Sequence, residues 1–307
     1  MRDQNFPISL SIFAAMYYMV YVPFYLLSLL PLRVLHVFAD FVYFIMYYVA
    51  KYRREIVFNN LAHAFPDKTA EERKKIAKRF YHNLTDTLFE SLKAISMSKK
   101  QINKRNTGEY ELLNNIIERG DNVHVFGGHQ FNWEFGNLLY ALHMKIPFIA
   151  VYMPLSNKSL DRIFLNMRKR FGTNMISAHI FRTTREQLFS KQYMAALAAD
   201  QNPGNPANAY WMNFLNRPAP FVTGPAKGAV ENKTAAVFVS QHKIKRGHYA
   251  FRLKLLSANA SEFTPEQLTV LYKKELEKAI REEPSNYLWS HRRWRHAWKP
   301  EYGPVLD

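Results

Sequence analysis

No charged residue occurs between Gln4 and Leu32, and that run limits what the chain can fold into more than any other feature. About 20 consecutive apolar residues suffice to cross a bilayer, so ISLSIFAAMYYMVYVPFYLLSLLP is long enough to span. A signal peptide is the competing reading; Asp3 weakens its basic leading region, the apolar run is overlong and no small-residue cleavage site is evident. A second apolar segment, Val34 to Ala50, is broken only by His36 and Asp40 and ends in Lys51, Arg53 and Arg54. It reads as half of a membrane hairpin or as a helix lying in the interface. Tyr17, Tyr18, Tyr21, Phe24, Phe41, Tyr43, Phe44, Tyr47 and Tyr48 crowd both segments, as side chains that settle at a membrane surface do. The basic cluster places its own end of the segment, and the chain beyond it, on the cytoplasmic side. Residues 1–50 are therefore expected to form a membrane anchor, against the alternative of two buried helices in a soluble core.

The remainder, 51–307, divides into a helical lead-in (51–120) and an α/β core (121–307). Thr69-Ala-Glu-Glu72 is a capping box, in which a hydroxyl and a carboxylate three residues later satisfy the free amides of a helix start. Ile76, Phe80, Leu84, Leu88, Leu92 and Ile95 then recur at helical spacing. From Val123 the pattern changes to short apolar runs, VHVF, PFIAVY, YMAALAA, AAVFVS and YAFRLKLL, with helical stretches such as 133–143 and 159–171 between the earlier ones. Such alternation predicts an α/β fold with a largely parallel central sheet flanked by helices. Thr223-Gly-Pro-Ala226 and Thr264-Pro-Glu-Gln267 read as helix starts with proline in the first turn.

Composition narrows the chemistry. The absence of cysteine removes disulfides, a thiol nucleophile and cysteine-ligated metal centres. A net charge of +17 calls for anionic partners: nucleic acid, an acidic protein or a membrane surface. A histidine followed five places later by an acid is expected about once by chance in such a composition, and the chain has two, His129 with Glu134 and His296 with Glu301. The second sits in an irregular tail. His129 follows an apolar strand and a Gly-Gly turn and precedes a helix, so it lies where ligands bind in open α/β sheets. The turn glycines would let backbone amides approach a reacting carbonyl, and a histidine in the loop could face an acid in the first helical turn. The plainer alternative is a loop histidine beside a glutamate that stabilises the helix start.

The stretch HQFNWE, from His129 to Glu134, resembles the H-x-x-N-W-E pattern of the bacterial lipid A biosynthesis (late) acyltransferases, members of the lysophospholipid acyltransferase superfamily. The segments LSLLPLRVLHVFADFVYF, NNLAHAFPDKTAEERKKIAKRFYHNL, YMPLSNKSLDRIFLNMRKRFG, ADQNPG, FLNRPAPFVTGPAKGA and YLWSHRRWR are similar in order, over nearly the whole chain. The resemblance implies a glycerol-3-phosphate-acyltransferase-like fold and transfer of a fatty acyl group from a carrier thioester to a lipid hydroxyl, without a covalent acyl-enzyme. It makes His129 the general base, with Glu134 or Asp200 orienting the ring. Arg168 and Arg170 become candidates for the oxyanion or a lipid phosphate, Arg182 and Gln201 for a polar head group, and Asn132 and Trp133 belong to the motif. Neither a metal nor a redox cofactor is expected; acyl carrier protein or acyl-CoA supplies the acyl group as co-substrate. The implied partners are acyl carrier protein, anionic membrane lipids and a lipid A precursor or related glycolipid at the cytoplasmic (inner) membrane. The tail HRRWRHAWK is a candidate basic face for them. An acyl-CoA-dependent lysophospholipid or aminolipid acyltransferase is the nearest rival. A nucleic-acid-binding module fits the charge but leaves the apolar N-terminus unexplained.

Overall fold

A computed structural model describes residues 6–307, with side chains from residue 14 onward except that of Arg182. The chain runs α1 (Phe6–Leu29), α2 (Leu32–Phe44), a π-helical turn (Ile45–Val49), α3 (Arg54–Ala64), α4 (Ala70–Ala94), α5 (Lys99–Arg105), β1 (Asn106–Gly108) and α6 (Tyr110–Glu118). There follow β2 (Val123–Gly127), α7 (Trp133–His143), β3 (Phe148–Tyr152), α8 (Lys158–Lys169), β4 (Asn174–Ser177), α9 (Phe181–Leu188) and β5 (Met194–Ala198). The hairpin β6 (Tyr210–Phe214) and β7 (Arg217–Phe221), α10 (Gly224–Glu231), β8 (Ala235–Lys245), β9 (His248–Ser257), α11 (Pro265–Glu282) and β10 (Val305–Leu306) complete it.

Seven strands form the main sheet in the order β1-β9-β8-β2-β5-β3-β4, parallel except for the β8–β9 pair. Both faces are covered, as a parallel sheet requires, and the two-residue period of a strand distributes its side chains between two cores. Val123 and Val125 of β2, with Val237 and Val239 of β8, point to one core, which includes Phe135 and Leu138 of α7. Phe126 and Phe238 point to the other, with Leu276 and Ile280 of α11 and Phe80 of α4. The capping boxes at Thr69 and Thr264 both close as predicted.

The three-stranded sheet β10-β6-β7 was hidden by its prolines. Pro218 and Pro220 cannot donate to a ladder, which argues against a strand in the sequence; β7 accommodates them because it is an edge, paired only with β6. Leu215 and Asn216, both at positive φ, make the tight turn between them.

The start of the apolar run at Gln4 lies outside the described residues. From Phe6, α1 and then α2 pack on α4, and α1 also contacts α8. Leu32, Leu35, His36 and Ala39 of α2 are buried, while Val37, Phe38, Phe41, Phe44 and Val49 face outward. The stretch Leu32–Val49 is apolar and long enough to cross a membrane by length and composition. The aromatic residues divide between the two sides. Tyr18 and Tyr48 are exposed, but Tyr17 and Tyr47 are buried, Tyr17 beneath the Arg162 guanidinium at 4.7 Å and Tyr47 against Tyr81. Tyr17, Tyr21 and Tyr25, one helical turn apart, stack in a ladder along α1.

Candidate active site

Strand register brings the central pair of side chains together. Gly127 of β2 is paired with Ala198 of β5, so the residues two places beyond, His129 and Asp200, leave adjacent strands side by side. The chain from β2 crosses to β3 on one side of this point and the chain from β5 crosses to β8 on the other, which opens the crevice where α/β sheets bind ligands. Nδ1 of His129 lies 2.7 Å from Oδ1 of Asp200, and the His129 backbone N–H donates to Oδ2 at 2.8 Å. Asp200 is buried, whereas about a quarter of the His129 side chain is open, 26 %. With Nδ1 held by the carboxylate, Nε2 is the ring nitrogen left to exchange a proton. Burial by itself would lower the pKa of His129; the charge and hydrogen bond of Asp200 outweigh it and hold the ring above its ordinary 6.5. Burial likewise pushes Asp200 up, and the His129 charge, the two hydrogen bonds and Arg293 bring it below the usual carboxylate range.

The acid on the ring is therefore Asp200, and Glu134 does not fill the place that the five-residue spacing suggested. Glu134, buried at the start of α7, is bound by Arg168 of α8: Nε donates to Oε2 at 2.9 Å and Nη2 to Oε1 at 2.6 Å. This two-pronged, charge-assisted contact is among the stronger side-chain interactions. Trp133 touches both pairs, its ring edge-on to His129 at 5.6 Å and its Nε1–H donating to Glu134 at 3.2 Å. Asn132 looks inward. Its Oδ1 caps α7 by accepting from the Phe135 N–H, and its amide donates to the buried carboxylate of Glu90, which also takes a hydrogen bond from Tyr249 and meets His36 of α2.

The remaining predicted residues scatter. Arg170 turns away, donating to the Ala94 carbonyl at the end of α4 and lying over Phe171. Gln201 follows Asp200 and is partly exposed. The backbone of Arg182 lies in α9, and its side chain is outside the described residues. Gly128 packs closely, since a Cβ there would sit 2.5 Å from the Leu276 Cδ1 methyl, which would have to shift. Two of the loop amides are engaged within the protein: the N–H of His129 serves Asp200, and that of Phe131 serves the Asn286 carbonyl.

Sequence reasoning missed the segment that holds this loop. The Leu288 N–H donates to the His129 carbonyl, and Gln130 pairs with Tyr287 in a β-bridge. Asn202, two residues beyond Asp200, exchanges hydrogen bonds with the Arg292 carbonyl and the Arg293 guanidinium. YLWSHRRWR thus clamps both strand-end loops, and its tyrosine and first tryptophan, both buried, were the available signal. Of the tail read as a basic face, Arg293 is buried over Phe221 while Arg292, Arg295 and Lys299 are exposed. Glu301 pairs with Lys299, not with His296.

Asp40, His82 and Asp86 gather within 4.8 Å as metal ligands could. Arg246 bridges both carboxylates and Lys243 donates to Asp86 at 2.8 Å, so the anionic charge a cation would need is already compensated.

An imidazole partly open in a crevice, with a buried carboxylate on its far nitrogen, has the chemistry to take a proton from a hydroxyl, as acyl transfer to an alcohol requires. The chain belongs to the bacterial lipid A biosynthesis acyltransferase family, whose sequence profile matches residues 5–296. It is an enzyme that transfers an acyl group to a lipid acceptor. It is 25 % identical over 250 residues to the lipid A biosynthesis palmitoleoyltransferase of Escherichia coli (strain K12), covering 80 % of this chain and 79 % of that protein. The same figures hold for the lipid A biosynthesis acyltransferase of Shigella flexneri.

Proposed function

We propose that the protein moves a fatty acyl chain from acyl carrier protein to a hydroxyl of a lipid A precursor, with His129 as general base and Asp200 as the residue that orients it. The observation that carries this reading is the 2.7 Å contact between His129 Nδ1 and Asp200 Oδ1 at the ends of adjacent strands. Nε2 accepts the proton of the acceptor hydroxyl as its oxygen attacks the thioester carbonyl. The carboxylate fixes the tautomer and stabilises the imidazolium that forms. Collapse of the tetrahedral intermediate expels the carrier thiolate, and the imidazolium supplies its proton. Arg168, locked by Glu134 yet about one-fifth exposed, supplies a fixed positive charge toward the developing oxyanion or a lipid phosphate. No metal or redox cofactor takes part.

Residues 1–50 hold the enzyme at the cytoplasmic face of the inner membrane, and 51–307 carry the chemistry. The outward apolar side chains of α2 support this, because an apolar surface of that extent marks an interaction site. The net charge of +17 suits an acidic carrier protein and an anionic leaflet together. Purified full-length protein in detergent, given acyl carrier protein and CoA thioesters of the same chain against a lipid A precursor and lysophospholipids, tests the assignment. Acylated lipid A precursor formed from the carrier protein thioester is the expected product; preference for acyl-CoA with a lysophospholipid would replace this reading with its rival.

A further inference from the structure

Arg293 is a cation with an unusual address. Its side chain is 1 % exposed and lies with its guanidinium carbon 4.5 Å from the centre of the Phe221 ring and 5.3 Å from that of Phe214. One nitrogen donates to Asn202 at 3.2 Å, while Nε and Nη2 have no hydrogen-bond acceptor. Burying a guanidinium with two of its donors unmet is costly unless an opposite charge compensates it. Asn202 lies two residues beyond the buried Asp200, so the hydrogen bond to Asn202 sets the guanidinium at the same strand end as that carboxylate without an ion pair between them, and the charge of Asp200 acts on it at longer range. Among the described residues the one side-chain hydrogen bond of Arg293 goes to Asn202 and none goes to Asp200, so Arg293 acts on the carboxylate through its charge.

We propose that Arg293 is a positioning residue of the transfer reaction: a buried cation that balances the net negative charge carried by the Asp200–His129 pair when the ring is neutral and ready to accept a proton. This rests on the reading of His129 as the base. The balance is needed only in that state, because the imidazolium–carboxylate pair is neutral by itself. The titratable groups that act on the guanidinium are Asp200 after β5, Tyr272 of α11 and Tyr287 of the C-terminal segment, and it acts in turn on His291, which His129 and Arg53 also influence. His291 is pushed down to about 4 by burial and by Arg293, so it is neutral at working pH and cannot replace the arginine. Tyr272 and Tyr287 are held well above the ordinary tyrosine value by burial.

The test compares full-length wild type, Arg293→Gln and Arg293→Lys in detergent, with dodecanoyl acyl carrier protein and a lipid A precursor, recording kcat/KM against pH. Loss of the cation is expected to move the acid limb of Arg293→Gln upward by about one pH unit, while the lysine variant keeps the wild-type limb. A merely structural arginine would lower the rate and leave the limb in place, and that result overturns the proposal. His129→Ala separates the two claims: if it transfers normally the base assignment falls, whereas an inactive His129→Ala with an unmoved Arg293→Gln limb removes only the present inference. If Arg293→Gln does not fold, Asp200→Asn/Arg293→Gln decides. With neither charge present it should regain a cooperative thermal transition, and a double variant that stays unfolded contradicts charge balance.

Discussion

Two acid–base pairs meet at Trp133 and differ in kind. In one, His129 and Asp200 come from loops 71 residues apart and share a proton; in the other, Glu134 and Arg168 carry fixed charges on two helices. A pair that must change charge during a reaction needs one partner that titrates near neutral pH, and only the histidine does. A pair that must hold a shape is better made from an arginine and a carboxylate in a two-pronged contact. On the proposed mechanism the acid close to His129 in sequence fixes the position of Arg168, and the acid close to it in space serves the proton.

Substitutions should grade along that division. His129→Ala is expected to lower turnover by about 10³-fold or more, since general base catalysis contributes roughly that much. Asp200→Asn leaves the ring without its negative partner and should cost about 10²-fold to 10⁴-fold in kcat with little change in KM for the acceptor. Glu134→Gln and Arg168→Lys loosen the hold on the fixed positive charge at Arg168 and should each cost on the order of 10-fold to 100-fold. Equal losses for Asp200→Asn and Glu134→Gln would erase the distinction.

The pH dependence sharpens it. With His129 as the proposed base a neutral imidazole is the active form, so activity should rise with pH through a limb above 6.5, the ordinary histidine value. Stability follows the opposite course for the same group. The raised His129 pKa contributes stability that is fully present below 6.5 and lost as pH rises through its folded value. The lowered Asp200 pKa contributes stability present above 3.8 and lost as pH falls through its folded value. The pair should thus support the fold most between about 4 and 6.5, and thermal melts of Asp200→Asn should lose that maximum. Far from both pairs, Thr69→Ala should cost about 1 kcal/mol of stability and leave kcat unchanged, as melts and assays on one preparation would show.

The parallel sheet, its strands and the helix over 133–143 were legible because period-two and period-3.6 patterns are local, as were the capping boxes. What was not legible came from distant residues. Asp200 and Glu134 are equally plausible on the chain, and the β2–β5 register decides between them. Tyr17 of α1 looked like a membrane-facing aromatic until α8 placed Arg162 over it. Arg293 looked like one cation of a basic tail, and only the return of the C-terminal segment to the strand ends buries it against Asn202, two residues beyond Asp200.

Direct titration of the His129 ring by nuclear magnetic resonance, in wild type, Asp200→Asn and Glu134→Gln, bears most closely on the proton-sharing pair. The ring should titrate above 6.5 in wild type, fall markedly in Asp200→Asn and stay in place in Glu134→Gln. A ring that moves with Glu134 and ignores Asp200 would contradict the account.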